Sequence, residues 1–194
     1  MNLPPLILAS ASPRRAEVLR KLDVEFQVVP GHAAEAVEDF LSPHELCQLN
    51  AWRKARVIAK KFPDALVLGA DTEVCLGAEV FGKPSDLADA ARMLGRLQGR
   101  THEVVTGVCL VHRRHHRQIL FAVATSVRFR PLDAAQIRAY LAKINPLDKA
   151  GAYAIQQHGD EIVAEISGSW SNVVGLPLER LRAELAHWNR TAGL

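Results

Sequence analysis

The chain has 194 residues, 48% hydrophobic and 23% charged, enough apolar material for a single compact domain spanning residues 1–194. No run approaches transmembrane length, no Gly/Ser linker or internal repeat divides it, and Cys47, Cys75 and Cys109 are too few and too scattered for a disulfide framework. The net charge of +3 suits a small anionic ligand as well as a weak nucleic-acid contact, and does not choose between them. In chain order, Leu6-Ile7-Leu8-Ala9 predicts a short buried strand, followed by a helix from Pro13 to about Leu22 with Val18, Leu19 and Leu22 inward. A strand over 26–29 leads into a loop that reaches Glu35. Ser42-Pro43-His44-Glu45 is a capping box that starts a long helix to about Phe62, with Cys47, Ala51, Ala55, Ile58 and Phe62 on one face.

Residues 65–70 read as a buried strand ending at Asp71. Ser85 is expected to cap a helix whose stripe is Leu87, Ala90, Ala91, Leu94 and Leu97, and Gly99 ends it. Residues 102–112 and 118–130 alternate as strands do and predict a long antiparallel hairpin, with Arg113-Arg114-His115-His116-Arg117 at its tip. Asp133 and Gln136 form a second capping box, for a helix to about Leu141. A strand over 162–166 follows, and Pro177 opens the last helix, with Leu178, Leu181, Leu185 and Trp188 aligned. The fold class is α/β: a mixed, strongly twisted sheet flanked by helices.

Several positions stand out for their chemistry. Ser12 and Pro13 suit the start of a helix, whose free N–H groups and positive dipole end favour an anion, and Arg14 and Arg15 add forked donors matched to phosphate. A capped surface helix with solvated arginines is the bland alternative. Lys54 falls on the inward stripe of its helix, so it either snorkels or meets an anion, whether a ligand phosphate or a carboxylate. Asp71 ends an apolar strand, the place where open α/β sheets bind ligands, and Gly69 would let a phosphate approach; a turn aspartate is the competing reading. An acid so placed can hold Mg²⁺ or polarise water. Lys83 follows Gly82 in a loop without P-loop spacing, Gln156 offers an amide to a base edge, and Glu35 is a lone loop acid. The histidines show no metal-binding spacing. Ala9-Ser10-Ala11 superficially mimics a signal-peptide end, but there is no basic segment before it and the apolar stretch is short, so a cytoplasmic location with reduced thiols is expected.

Taken together, Ser10-x-Ser12-Pro13-Arg14-Arg15, Gly69-Ala70-Asp71-Thr72, Gly82-Lys83-Pro84, residues 148–153 (Asp-Lys-Ala-Gly-Ala-Tyr) and residues 172–177 (Asn-Val-Val-Gly-Leu-Pro) resemble the Maf family of nucleotide pyrophosphatases from about residue 6 to 188. The resemblance implies a Maf/inosine-triphosphatase-like fold with a cleft between two lobes. It also implies hydrolysis of a nucleoside triphosphate to monophosphate and pyrophosphate with a divalent cation, Mg²⁺ or Mn²⁺. Residues 148–153 resemble the branch acting on dTTP and UTP, with modified pyrimidine nucleotides as further candidates. Carried over by position, Asp71 matches the catalytic acid and Glu35 the acidic loop, the two expected metal ligands. Lys54 and Lys83 complete the expected catalytic set, with Ser10 and Arg15 also around the phosphates. Arg14, Thr72 and Gln156 match specificity-linked positions.

Two departures from the family pattern stand out: the loop His32-Ala33-Ala34-Glu35 keeps a single acid, and Ala154 replaces a usual glycine ahead of Gln156. The expected partner is the nucleotide substrate, with a homodimer admitted and neither nucleic acid nor membrane expected. A non-catalytic nucleotide-binding regulator of cell division or stress response is the alternative. A nucleic-acid module using residues 113–117 is the third reading, weakened by the lack of interleaved aromatics.

Overall fold

Apolar strand runs and capped amphipathic helices alternate along the chain, and the computed structural model, which describes residues 3–31, 33, 34, 36 and 40–191, assembles them around a mixed sheet. The elements are β1 (Leu6–Leu8), α1 (Pro13–Arg20), β2 (Phe26–Val28), α2 (Pro43–Ala59), β3 (Leu66–Leu76), β4 (Glu79–Phe81), α3 (Leu87–Leu97), β5 (Thr101–His112), β6 (Arg117–Phe129), α4 (Ala134–Leu141), α5 (Gly159–Ile162), β7 (Val163–Ser167), α6 (Trp170–Val174) and α7 (Leu178–Thr191). Two 3₁₀ turns, Pro146–Asp148 and Ala150–Ala152, precede α5. The strand order is β2-β1-β3-β5-β6-β7, with β4 paired to β3. β1 runs parallel to β2 and β3, while β4 and β7 run antiparallel to their partners. Among the described residues, no helix is long and apolar enough to cross a membrane.

The chain forms two compact units. The first comprises residues 1–71, 106–123 and 175–194. In it Ile7, Ala9, Ala51, Ala55, Ile58, Val67 and Cys109 form a buried cluster. α2 lies so close to β3 that a Cβ on Gly69 would sit 2.2 Å from the Ala51 carbonyl oxygen, and one on Gly107 would meet the Cys47 carbonyl carbon at 2.3 Å. Gly69 therefore serves helix–strand contact, a role the expected approach of a phosphate to that glycine does not describe. The second unit, residues 72–105 and 124–174, is built on Val74, Phe81, Leu94, Leu97, Val104, Phe129 and Tyr140 among others.

Both expected capping boxes, Ser42 with Glu45 and Asp133 with Gln136, are present. Elsewhere the local expectations need correction. Ser12 occupies the N-cap of α1 without a side-chain cap bond; its own N–H donates to Ser10 Oγ at 3.2 Å. Asp86, one residue after Ser85, caps α3 by accepting from the Asp89 N–H at 2.8 Å. That shift leaves Leu87 exposed in the first turn, and Met93 joins the buried stripe. Phe62 lies beyond the end of α2 and is exposed. β3 does not end at Asp71 but continues to Leu76, because Val74 and Cys75 pair with β4, a strand too short to show a periodicity.

Candidate active site

In the first unit, β1 ends two residues before Ser10, and α1 begins three residues after it, so Ser10 lies in the connection and Arg14 and Arg15 in the first turn of the helix that follows. The Arg15 guanidinium is held at two points: Nε donates to the Gly175 carbonyl at 2.9 Å, and a terminal nitrogen donates to Ser10 Oγ at 3.3 Å. Gly175 offers that carbonyl from a backbone with φ of 114°, a conformation that favours glycine. The motif at residues 172–177 thus serves the arginine from 160 residues away. Its other marked residue, Asn172 of the second unit, is fully buried and donates to the Val104 carbonyl at 2.9 Å and to Thr125 Oγ1 at 3.0 Å.

Lys54 and Asp71 answer the question each raised alone. The Lys54 ammonium donates to Asp71 Oδ1 at 2.5 Å, with the side chains 14% and 7% exposed. The anion expected opposite Lys54 is thus a carboxylate of the protein. A carboxylate in mid-strand has no turn N–H groups to cap, which removes the bland reading of Asp71. Its Oδ2 is buried and makes no hydrogen bond among the described residues. A buried carboxylate oxygen without a partner is costly in a folded protein, and it marks capacity reserved for a water, a cation or a proton.

Glu35 lies outside the described residues, but both neighbours are fixed. Asn50, buried one turn before Lys54, accepts from the Ala36 N–H at 2.7 Å and donates to the Ala36 carbonyl at 3.2 Å. Arg53 donates to the Ala34 carbonyl at 3.5 Å. Sequence reading missed Asn50, although a buried asparagine on the face that also carries Cys47 and Lys54 was a visible signal: a buried amide demands partners.

In the second unit, Thr72 is half-buried on β3, Lys83 is exposed in the connection after β4, and Gln156 is exposed in a turn ahead of α5. The Gly151 N–H donates to the Gly82 carbonyl at 3.0 Å, so the residue before Lys83 is tied to the segment that leads to Gln156. Gly151 itself has φ of 68°, and a Cβ there would meet the Val74 side chain at 3.0 Å, so the position favours glycine. Lys149 is buried, and its ammonium donates to the Asn145 carbonyl at 2.6 Å and to Asp148 at 2.5 Å. It is therefore a brace for the motif at residues 148–153.

At the hairpin tip, Arg114 forms a two-pronged pair with Asp64 and Arg117 lies 4.2 Å over the Trp188 ring. Two of the tip's arginines are thus engaged within the first unit.

The arrangement is that of an anion-handling α/β protein, with a lysine paired to a buried carboxylate that keeps acceptor capacity and an arginine fixed at the start of α1. The Maf-like protein family model matches residues 5–188, and the chain belongs to that family. It is 49% identical to a dTTP/UTP pyrophosphatase of Symbiobacterium thermophilum, over 90% of this chain and 89% of that one. Proteins of the same name from Gloeobacter violaceus and Myxococcus xanthus are 48% and 50% identical. Their alignments cover 95% and 89% of this chain, and 96% and 87% of theirs.

Proposed function

We propose that this protein is a nucleoside triphosphate pyrophosphatase that hydrolyses dTTP and UTP to the monophosphate and pyrophosphate in the cytoplasm. The observation that carries the reading is the buried Lys54–Asp71 pair with one carboxylate oxygen in reserve. The names of relatives 42–50% identical over most of the chain supply the substrate. Cleavage between the α- and β-phosphates requires positive charge on the departing pyrophosphate and a water aligned on the α-phosphorus. Arg14, Arg15, Lys54 and Lys83 supply the charge, with Ser10 as a hydroxyl donor. Asp71, assisted by Glu35, orients the water and accepts its proton as the new P–O bond forms, and the bridging oxygen leaves with pyrophosphate.

A divalent cation fits this donor set. The buried Asp71 Oδ2, which makes no hydrogen bond among the described residues, is an oxygen of the kind a hard cation takes. Mg²⁺ binds through one or two carboxylates plus substrate phosphates, and Asp71 with Glu35 would hold it. Bound there, it would add positive charge to the phosphate oxygens. Thr72 and Gln156 face the nucleoside in this reading. The Gln156 amide, both donor and acceptor, matches the O4/N3 edge shared by thymine and uracil, and cytosine presents an amino group instead of O4.

The test is hydrolysis of each natural triphosphate with Mg²⁺ or Mn²⁺, with monophosphate and pyrophosphate quantified together. UTP and dTTP should lead, giving equal amounts of both products. Tight binding without turnover would overturn the reading in favour of a regulator, and a winning CTP or purine triphosphate would overturn the base assignment.

A further inference from the structure

Gln156 is exposed and sits on a turn, yet a base-reading amide needs a fixed position to discriminate. The residues that supply the footing lie just upstream. Tyr140 is buried on α4, and its hydroxyl engages both backbone groups of Ala154: the Ala154 N–H donates to Oη at 3.0 Å, and Oη donates to the Ala154 carbonyl at 3.3 Å. The adjacent Tyr153 is held from the other direction, its hydroxyl sharing a 3.0 Å hydrogen bond with Nε2 of the buried His102 on β5. Both rings pack edge-on against Phe129. Tyr153 and Ala154 are therefore fixed by long-range bonds, and Gln156 follows two residues later on the same short stretch. The Ala154 carbonyl also accepts from the Gln157 N–H at 3.4 Å, which closes the turn carrying Gln156 onto the atom that Tyr140 holds.

We propose that Tyr140 is a positioning residue for base selection: its hydroxyl, by clamping both backbone groups of Ala154, sets where Gln156 meets the O4/N3 edge of the pyrimidine, with His102–Tyr153 as the second support. This rests on the reading of Gln156 given above.

The experiment compares kcat/KM for UTP and CTP in wild type, Tyr140→Phe, Gln156→Ala and the double variant, with folding checked by circular dichroism and thermal melting. Tyr140→Phe keeps the ring and removes the clamp. It should lower the UTP:CTP selectivity about tenfold, the size expected for one buried hydrogen bond. In the Gln156→Ala background the same change should leave the ratio where Gln156→Ala put it. Tyr153→Phe, which cuts the second support, should lower selectivity in the same direction and covers the case in which Tyr140→Phe does not fold. An unchanged ratio in a folded Tyr140→Phe or Tyr153→Phe, or a loss that persists without Gln156, would overturn the proposal. A wild type without preference for UTP over CTP would instead overturn the base assignment beneath it, before any variant is made.

Discussion

The surroundings of Asp71 and those of Ala154 are both buried and polar, yet they are built from opposite materials. At Asp71 the bond is charge-assisted, ammonium to carboxylate, and elsewhere in the same unit the Arg15 guanidinium donates to a hydroxyl and a backbone carbonyl. Around Ala154 the bonds are neutral: one phenol holds the backbone, and the phenol of the adjacent Tyr153 pairs with an imidazole. Burial pushes the Tyr140 hydroxyl up to about 12 and the His102 ring down to about 4, so both stay uncharged at neutral pH. Charge belongs where phosphate charge must be met. In the proposed function, neutral hydrogen bonds hold the stretch that leads to Gln156, so its footing does not change charge near neutral pH.

The comparison is broken most sharply at Asp71. Asp71→Asn keeps a side chain of the same shape but neither accepts a proton nor neutralises Lys54. Turnover per folded molecule should fall at least ~100-fold, while nucleotide binding by calorimetry persists. Near-normal turnover would remove Asp71 from the chemistry.

Next in size is the scaffold that carries Lys54. A methyl at position 69 would collide with backbone atoms of α2, Ala51 O at 2.2 Å and Ala55 N at 2.8 Å, neither of which can move alone. Gly69→Ala should cost about 3 kcal/mol or more in urea unfolding. A stable Gly69→Ala would show that α2 is free to shift, and with it Lys54.

The cations separate into two kinds. Arg15→Ala and Lys83→Ala should each lower kcat/KM by roughly 10- to 100-fold, the worth of one charge-assisted phosphate contact of about 1.5–3 kcal/mol. Arg15 also ties Ser10 to Gly175, so its loss should lower the melting temperature as well. Lys83 is exposed, and its removal should leave melting unchanged. A collapse of stability with activity per folded molecule intact would make either residue structural.

The smallest effect belongs to the neutral region. His102 binds a proton more readily unfolded, near 6.5, than folded, near 4, so protonation favours unfolding in that window. Its contribution is fully present above pH 6.5 and is lost as the pH falls towards 4. Between pH 7 and pH 5 the wild type should lose about 2 kcal/mol from this group alone. His102→Gln should lose correspondingly less over the same interval in urea titrations. Parallel pH profiles would mean that His102 titrates alike in the folded and unfolded chain.

What the sequence made legible follows the same division. Helices α2 and α4 announced themselves through capping boxes, and α7 through its stripe of Leu181, Leu185 and Trp188, because local rules govern them. Asp71, Lys54 and Arg15 were visible as charges in improbable places. The clamp on Ala154 was not, since tyrosine at position 140 reads as ordinary core until its hydroxyl is seen to reach fourteen residues along the chain. The partners of Asn50 and Gly175 were hidden for the same reason: tertiary contact sets them. β3 was read too short because its continuation depends on pairing with β4.

The central claim is that the charged region directs a water to the α-phosphorus of a pyrimidine nucleoside triphosphate while pyrophosphate departs. A single-turnover hydrolysis of UTP in ¹⁸O-water, analysed by mass spectrometry, tests it directly. One ¹⁸O in UMP and none in pyrophosphate is the predicted result; label in pyrophosphate, or UDP as the product, would contradict it.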